Sequence, residues 1–287
     1  MPTPNTSRGK DASELSVAHL LKTATATIRD VVCGGECRHK STEECPTSTH
    51  LVFPYRGVFM RHLGQEDAVA EANQVLFFNA EEAYRVSHPV CGGDASLDLA
   101  VDVALLHELT PKEHLRETNT LSFRRQRLRI DPRTQALVAM LRHTLHNGTI
   151  EPLEAETLTL TLLRRAMGER ISHAPCGSVG KQKLVDRAKL ALSSDLTRRW
   201  TLAEIAAEVR VSPVYLTQVF QQVEAMPLYR YHLRLRLARA LDLLVHYEDL
   251  TALSMDLGFS SHSHFTSSFR QTYGRTPVEF RRSVHPQ

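Results

Sequence analysis

The sequence predicts an α+β chain of two domains. A small N-terminal β-barrel with following helices should precede an all-α C-terminal domain built from two copies of one capped two-helix unit. Three observations predict this. Between Thr27 and about Leu105 the chain reads as short strands, clearest where Leu97, Leu99, Val101 and Val103 alternate with Asp98, Ala100 and Asp102. Across 201–282 a unit recurs: Thr201 matches Asp249 and Ile205 matches Leu253 at an offset of 48, while Leu216 matches Phe265 and Phe220 matches Phe269 at 49. Charge is also uneven. From Lys181 onward there are 15 Lys+Arg against 10 Asp+Glu, whereas residues 1–180 hold 20 against 22, so the net +3 conceals a basic C-terminal part.

In chain order, 1–25 reads as a flexible tail whose polar start, Met1 to Ser7, predicts no signal peptide. The barrel is expected over 26–110. Leu51–Tyr55 and Gly57–Leu63 form a hairpin candidate, followed by strands at Val75–Asn79 and Tyr84–His88. A helical segment over 111–173 comes next. Asp131-Pro132 starts one helix, lined by Leu137, Met140, Leu141 and Leu145 and ended by Asn147-Gly148. A second runs from about Leu153 to Ile171, with Leu160, Leu163, Met167 and Ile171 on one stripe. The pair should pack onto the barrel or meet a twin subunit. Residues 174–182, with Pro175-Cys176-Gly177, read as a linker, and the last domain as 183–287, opening with a helix over Leu184–Leu192. No run approaches the ~18 apolar residues of a membrane span. Five cysteines, an odd number, suit a reducing cytoplasm better than a disulfide scaffold.

The repeated unit explains its own letters. Thr201 with Glu204 makes a capping box. Leu202, Ile205, Ala206 and Val209 then fall on one stripe, and the small Ala206 (Ser254 in the second copy) lets another helix cross closely. Ser212 caps the next helix and Pro213 takes its first position, where a missing N–H is harmless. Leu216, Val219, Phe220 and Val223 hold that helix to a core. Its other face presents Val214, Tyr215, Thr217, Gln218 and Gln221, of the right size and polarity to meet base edges in a major groove.

These residues resemble the double helix-turn-helix domain of the AraC/XylS family of bacterial transcription regulators. The resemblance rests on Ser212-Pro213-Val214-Tyr215-Leu216, Pro227 to Tyr231, Arg234 to Ala240, Leu257 to Phe265, Phe269, Tyr273 to Pro277 and Phe280-Arg281. Arg210 and Ala225 depart from it, standing where glycine is expected. A Cβ in a left-handed turn costs on the order of 1 kcal/mol. Asn79 to His88 also resembles the family's cupin-like effector domain. The resemblance implies a cytoplasmic, homodimeric activator that binds double-stranded DNA, recruits RNA polymerase and responds to a small-molecule or metal effector.

For DNA contacts the expected residues are Val214, Tyr215, Thr217, Gln218 and Gln221 in the first unit, and His262, Ser263, Thr266, Ser267 and Arg270 in the second. The connecting helix carries Arg230, Arg234, Arg236 and Arg239; some of these should reach phosphates, Arg230 and Arg234 being the expected contacts, and others should form structural ion pairs. A rigid connector would set the two units in successive major grooves, ~34 Å apart. His262 and His264 lie two apart on a helix and point away from each other, so they do not share a metal.

The N-terminal domain offers two further candidates. Cys33, Cys37, His39 and Cys45 could hold zinc or another soft metal, with Cys91 able to join them, or act as a redox pair, or have no role. His50, His62 and His88 lie on presumed strands and are candidate effector contacts. A redox-gated or constitutive regulator with an unliganded barrel is the alternative of the same class. A cupin metalloenzyme fused to a DNA anchor is the rival of another. The rival would need His-x-His and a following Glu on the strands. Residues 27–105 contain no His-x-His, and the chain has no phosphate loop, His-Glu-x-x-His or Gly-x-Ser-x-Gly elbow.

Overall fold

A computed structural model describes residues 15–35, 38–117, 120–168 and 177–285. Strands come first: β1 (Leu15–Lys22), β2 (Ala26–Cys33), β3 (His50–Arg56), β4 (Phe59–Leu63), β5 (Glu66–Ala70), β6 (Gln74–Phe78), β7 (Arg85–Ser87) and β8 (Asp94–Val101). The short helix α1 (Val103–Leu109) and a single turn of 3-10 helix at Lys112–His114 lead to β9 (Arg127–Arg129). Helices α2 (Pro132–His146) and α3 (Pro152–Met167) close the N-terminal part.

The strands form two antiparallel sheets, a six-stranded one in the order β1-β2-β8-β3-β6-β9 and a three-stranded one in the order β5-β4-β7. One face of the large sheet buries Ile28, Leu51, Phe53, Phe77, Leu97 and Leu99 against Leu141 of α2 and Leu162, Leu163 and Met167 of α3. Its other face buries Val52, Leu76 and Phe78 against Phe59 and Ala70 of the small sheet. Covered on both sides, β3 reads as a continuous apolar run from Leu51 to Tyr55, whereas β8 is buried along most of its length yet keeps its alternation, with Ser96 and Asp98 buried among apolar neighbours. Hydrogen bonding does not close into a ring among the described residues, so the expected barrel takes the form of two facing sheets.

Four expectations need correction. Leu15–Lys22, assigned to the flexible tail, is an edge strand in register with β2 from Leu15↔Cys33 to Lys22↔Thr27. Its side chains are mostly exposed, so no alternation marked it. The hairpin of β3 with β4 is absent: β3 pairs with β6 and β8, and β4 with β5 and β7. The chain changes sheet at Arg56 and Gly57, where the register shifts and Gly57 adopts φ +69°. The sheet runs past residue 110, since β9 joins β6 within the segment read as helical. Finally the first helix of the last domain begins at Val179 rather than Leu184. The Pro175-Cys176 part of the expected linker lies outside the described residues.

The C-terminal part comprises α4 (Val179–Ser194), α5 (Leu202–Glu208), α6 (Pro213–Glu224), α7 (Leu228–Leu243), α8 (Leu250–Asp256), α9 (His262–Tyr273) and α10 (Pro277–Val284). Two cores share α7. Its first half gives Tyr231 and Leu235 to a core with Ile205, Leu216 and Phe220. Its second half gives Leu237, Ala240, Leu241 and Leu244 to a core with Leu253, Phe265, Phe269 and Phe280. No helix among the described residues is long and apolar enough to cross a membrane.

The two parts meet over a polar seam. Arg127 of β9 donates through Nη2 to both carboxylate oxygens of Asp186 of α4 at 2.9 Å, and Arg129 lies 3.6 Å from Glu224, the last residue of α6. Lys189, fully buried, approaches Glu224 to 2.7 Å, and the Tyr231 hydroxyl donates to Glu71 beside the β5–β6 turn. Helix α2 adds Arg142 to Asp242 at 2.6 Å, and the His143 Nε2 donates to the Leu241 carbonyl. Helix α2 therefore sits between the parts, with one face on the large sheet and another on α7.

Candidate nucleic-acid interface

Each two-helix unit is built alike. The pairs α5/α8 and α6/α9 have equal lengths of 7 and 12 residues. Thr201 caps α5 in a reciprocal capping box with Glu204, whose carboxyl is pulled down to about 2 by hydrogen bonds from Thr201 and Arg198. Asp249 caps α8 by accepting from the Thr251 N–H. Ser212 and Ser261 cap α6 and α9 by accepting from Tyr215 and His264. The second helices end alike too, on Ala225 and Gly274, both left-handed.

Burial divides α6 and α9 into two faces. Leu216, Val219, Phe220 and Val223 of α6 are buried, as are Phe265, Ser268, Phe269 and Tyr273 of α9. Val214 is 67% exposed and Tyr215 46%, and Thr217, Gln218 and Gln221 are exposed beside them. On α9, Ser263, Ser267 and Arg270 are exposed, while His262 and Thr266 are half-buried and in contact through Nε2 and Oγ1 at 3.3 Å. Thr217, Gln218 and Gln221 of α6, Tyr229 and Arg236 of α7 and His264 of α9 line a single cleft, so both units open onto common space.

The connecting helix sorts its arginines. Arg230 is exposed. Arg234 is half-buried, and its guanidinium is pulled below its usual value by burial and then by Arg129, a residue of the seam. Arg236 spans the two units: it donates to the carbonyls of Leu196, Thr197 and Arg198 before α5 and to that of Gly258 after α8. Arg239 pairs with Asp242. His264 touches Ser260 Oγ at 3.1 Å and the Phe259 ring edge, apart from His262. Arg199 and Trp200, which line the same cleft, were not singled out from the sequence because they precede the repeated unit.

In the N-terminal part, His50 stacks on Phe78, and its Nδ1 meets the Ser48 carbonyl. His62 is buried with both nitrogens used, on Asp67 at 2.6 Å and Ser87 at 2.8 Å. His88 is buried 2.8 Å from Asp94. Of the thiol cluster, Cys37 lies outside the described residues. Cys33 is buried whereas His39 and Cys45 are exposed, so these described members do not come together. Cys33 instead gathers with His88 and Asp94. Sequence reasoning missed Asp94, whose signal lies in the β2–β8 register, and the fully buried Arg61, which donates to the Phe77 carbonyl at 2.6 Å.

A family model described as a helix-turn-helix domain matches residues 205–283. The regulatory protein PocR of Salmonella typhimurium is 33% identical over 95 residues, which are 33% of this chain and 30% of PocR. The transcriptional activator FapR of Escherichia coli is 30% identical over 96 residues, 33% of this chain and 36% of FapR. The chain thus spans about a third of the length of the curated relatives it matches. A crystal structure of a transcriptional regulator with an AraC-type DNA-binding domain, from Chromobacterium violaceum, is 29% identical with a TM-score of 0.35, covering 38% of this chain and all of that one.

Proposed function

The C-terminal third of the chain is an AraC-type helix-turn-helix DNA-binding domain, and on that premise we propose that the protein is a sequence-specific transcription regulator whose α6 and α9 enter successive major grooves of one operator. The observation that carries this is the pair of equally built helices, each with a buried apolar face and an open polar one. Base edges would be read by Val214, Tyr215, Thr217, Gln218 and Gln221 in one groove and by His262, Ser263, Thr266, Ser267 and Arg270 in the next. Arg230 would hold phosphate, and Arg234 would reach it only if the seam opened.

The regulator acts as an activator, as the name of FapR favours, and it recruits RNA polymerase as a homodimer in the cytoplasm. Helix α2 is used up between the two parts, so α3 is left to meet a twin subunit. The N-terminal part (26–110 with β9 added) serves as a cupin-like sensor for a small effector or for metal and thiol chemistry, and not as an enzyme. Signal would pass through the polar seam, because Glu224 at the end of the first reading helix faces Arg129 of the sensor. An effector gates DNA binding only by preferring one of two seam arrangements.

Selection of bound duplexes from a random pool by the purified full chain tests the reading. It should return two half-sites about one helical turn apart. Gln218→Ala should relax preference within one half, and His262→Ala within the other, by ~1–3 kcal/mol. Selection of one half-site only, or base preferences untouched by both variants, would remove the assignment.

A further inference from the structure

Antiparallel pairing of β2 with β8 sets Cys33 opposite Asp94, side by side on one face at the end of the large sheet. His88 follows β7, a strand of the small sheet, and completes a buried group whose ligand-capable atoms all lie within 4.8 Å of one another. Two glycines allow this approach. A Cβ on Gly93 would stand 2.3 Å from the Cys33 carbonyl, and one on Gly57 would stand 2.1 Å from the Gly93 carbonyl. Both adopt positive φ, so the backbone is drawn in around the group by residues that no side-chain-bearing amino acid replaces without strain.

A buried histidine–aspartate hydrogen bond is the plainer account of such a group, and the geometry does not support it. The His88 Nε2 and Asp94 Oδ2 are 2.8 Å apart, yet Asp94 Oδ2 has no hydrogen-bond partner of acceptable angle, and neither does His88 Nδ1. His88 and Asp94 are only 8% and 7% exposed, so bulk water does not reach these atoms. Burying polar atoms without partners is unfavourable, so a group built this way is expected to have a partner for them. His62 shows the contrast, with both its nitrogens bonded.

We propose that Cys33, His88 and Asp94 are three ligands of a site for one borderline-soft divalent cation, zinc foremost, with the fourth position open. Thiolate, imidazole and carboxylate are the zinc donors. Around a tetrahedral zinc, with bonds of about 2.0–2.3 Å, ligand atoms lie roughly 3.3–3.6 Å apart, within small side-chain adjustments of the observed group. On binding, the Cys33 thiol gives its proton to solvent and the sulfur forms the metal bond, so uptake releases one proton and changes no oxidation state. The ion would tie the end of β7 to the ends of β2 and β8, bracing the small sheet against the large one. Cys91 is exposed with its Sγ toward Arg38, and Cys45 is exposed, so neither belongs to the set. The site names the sensor chemistry of the reading above, but its test involves no DNA, so either can fail without the other.

The full chain, stripped with a chelator under a non-thiol reductant, is titrated with Co²⁺ and then with Zn²⁺. One equivalent of Co²⁺ should give the visible absorption of a four-coordinate ion together with a sulfur-to-cobalt charge-transfer band, and one equivalent of Zn²⁺ should remove both. Cys33→Ser should abolish the charge-transfer band. Asp94→Asn, nearly the same shape, should weaken Zn²⁺ binding at least ~10-fold. The double variant Cys45→Ser/Cys91→Ser should bind like the parent. Metal-free circular dichroism and melting of each variant establish that it is folded. Stoichiometric binding that survives Cys33→Ser, a band lost with Cys45 and Cys91 instead, or no band in the folded parent would each overturn the site.

Discussion

Arg210 and Ala225 hold φ of 60° and 50°, the left-handed region, while the matching positions of the second unit are Gly258 and Gly274 at 75° and 78°. The turn is therefore kept and the residue is not. Ala225→Gly should stabilise the chain by about 0.5–1 kcal/mol, since the strain of a Cβ outweighs the added freedom of the unfolded chain. The reverse change, Gly258→Ala, should destabilise by more than that, because its Cβ would stand 2.2 Å from the Thr197 carbonyl. Urea unfolding of the three proteins checks both, and a less stable Ala225→Gly would count against the strain. These positions were legible, because the repeat aligned them with glycines. The Cys33–Asp94 pairing was not: a strand register joins residues 61 apart in sequence, and no local pattern encodes it. His88 was marked as a strand histidine, but its partners come from the other sheet.

Among the elements, the start of α6 and the buried stripes of α6 and α9 were legible, since a Ser cap followed by proline and apolar spacing are local signals. The strand pairing was not, because β3 and β4 are neighbours in sequence but lie in different sheets. The connector's part emerges only from contacts. Arg236 of α7 gathers four carbonyls from two loops, one before α5 and one after α8. Lysine has the charge without the planar fork. Arg236→Lys should lower stability by about 2–3 kcal/mol and reduce affinity for paired half-sites more than for either alone, as read by fluorescence anisotropy. Equal losses on paired and single half-sites would mean that Arg236 does not set the spacing.

Helix α2 makes a prediction about pH. Burial, then the neighbouring Arg142, pulls His143 down to about 4, and its Nε2 donates to the Leu241 carbonyl. In the folded chain it is neutral, while unfolded it titrates near 6.5. Above pH 6.5 neither state is protonated there, so the contribution is complete. Between 6.5 and 4 the unfolded chain takes up the proton first, and stability falls as pH falls, by on the order of 3 kcal/mol across the window. His232, drawn to about 4 by burial and Arg236, adds to the same slope. His143→Gln should flatten part of this slope in melting curves between pH 4 and 7, and an unchanged slope would place the titration elsewhere.

At the scale of the whole molecule, the seam decides whether the sensor and the reader are one unit. Arg127, Arg129 and Lys189 face Glu71, Asp186 and Glu224, three cations against three carboxylates, drawn from both parts. Burial pushes Glu224 upward, but Lys189, Arg129 and Arg127 prevail and hold it below the ordinary carboxylate value. Burial raises Glu71 against Lys189 and the Tyr231 hydrogen bond, so it is the member most ready to take a proton if a cation is lost. Such clusters are weak contributors when complete and severe when broken. Arg129→Met should therefore cost about 3 kcal/mol, and Glu224→Gln a similar amount. The double variant should cost less than their sum by about 1 kcal/mol or more, since each single change strands the other's charge. Strict additivity in urea unfolding would mean that Glu224 does not sense the sensor domain, and the proposed route from the two-sheet domain to the first reading helix would have to lie elsewhere.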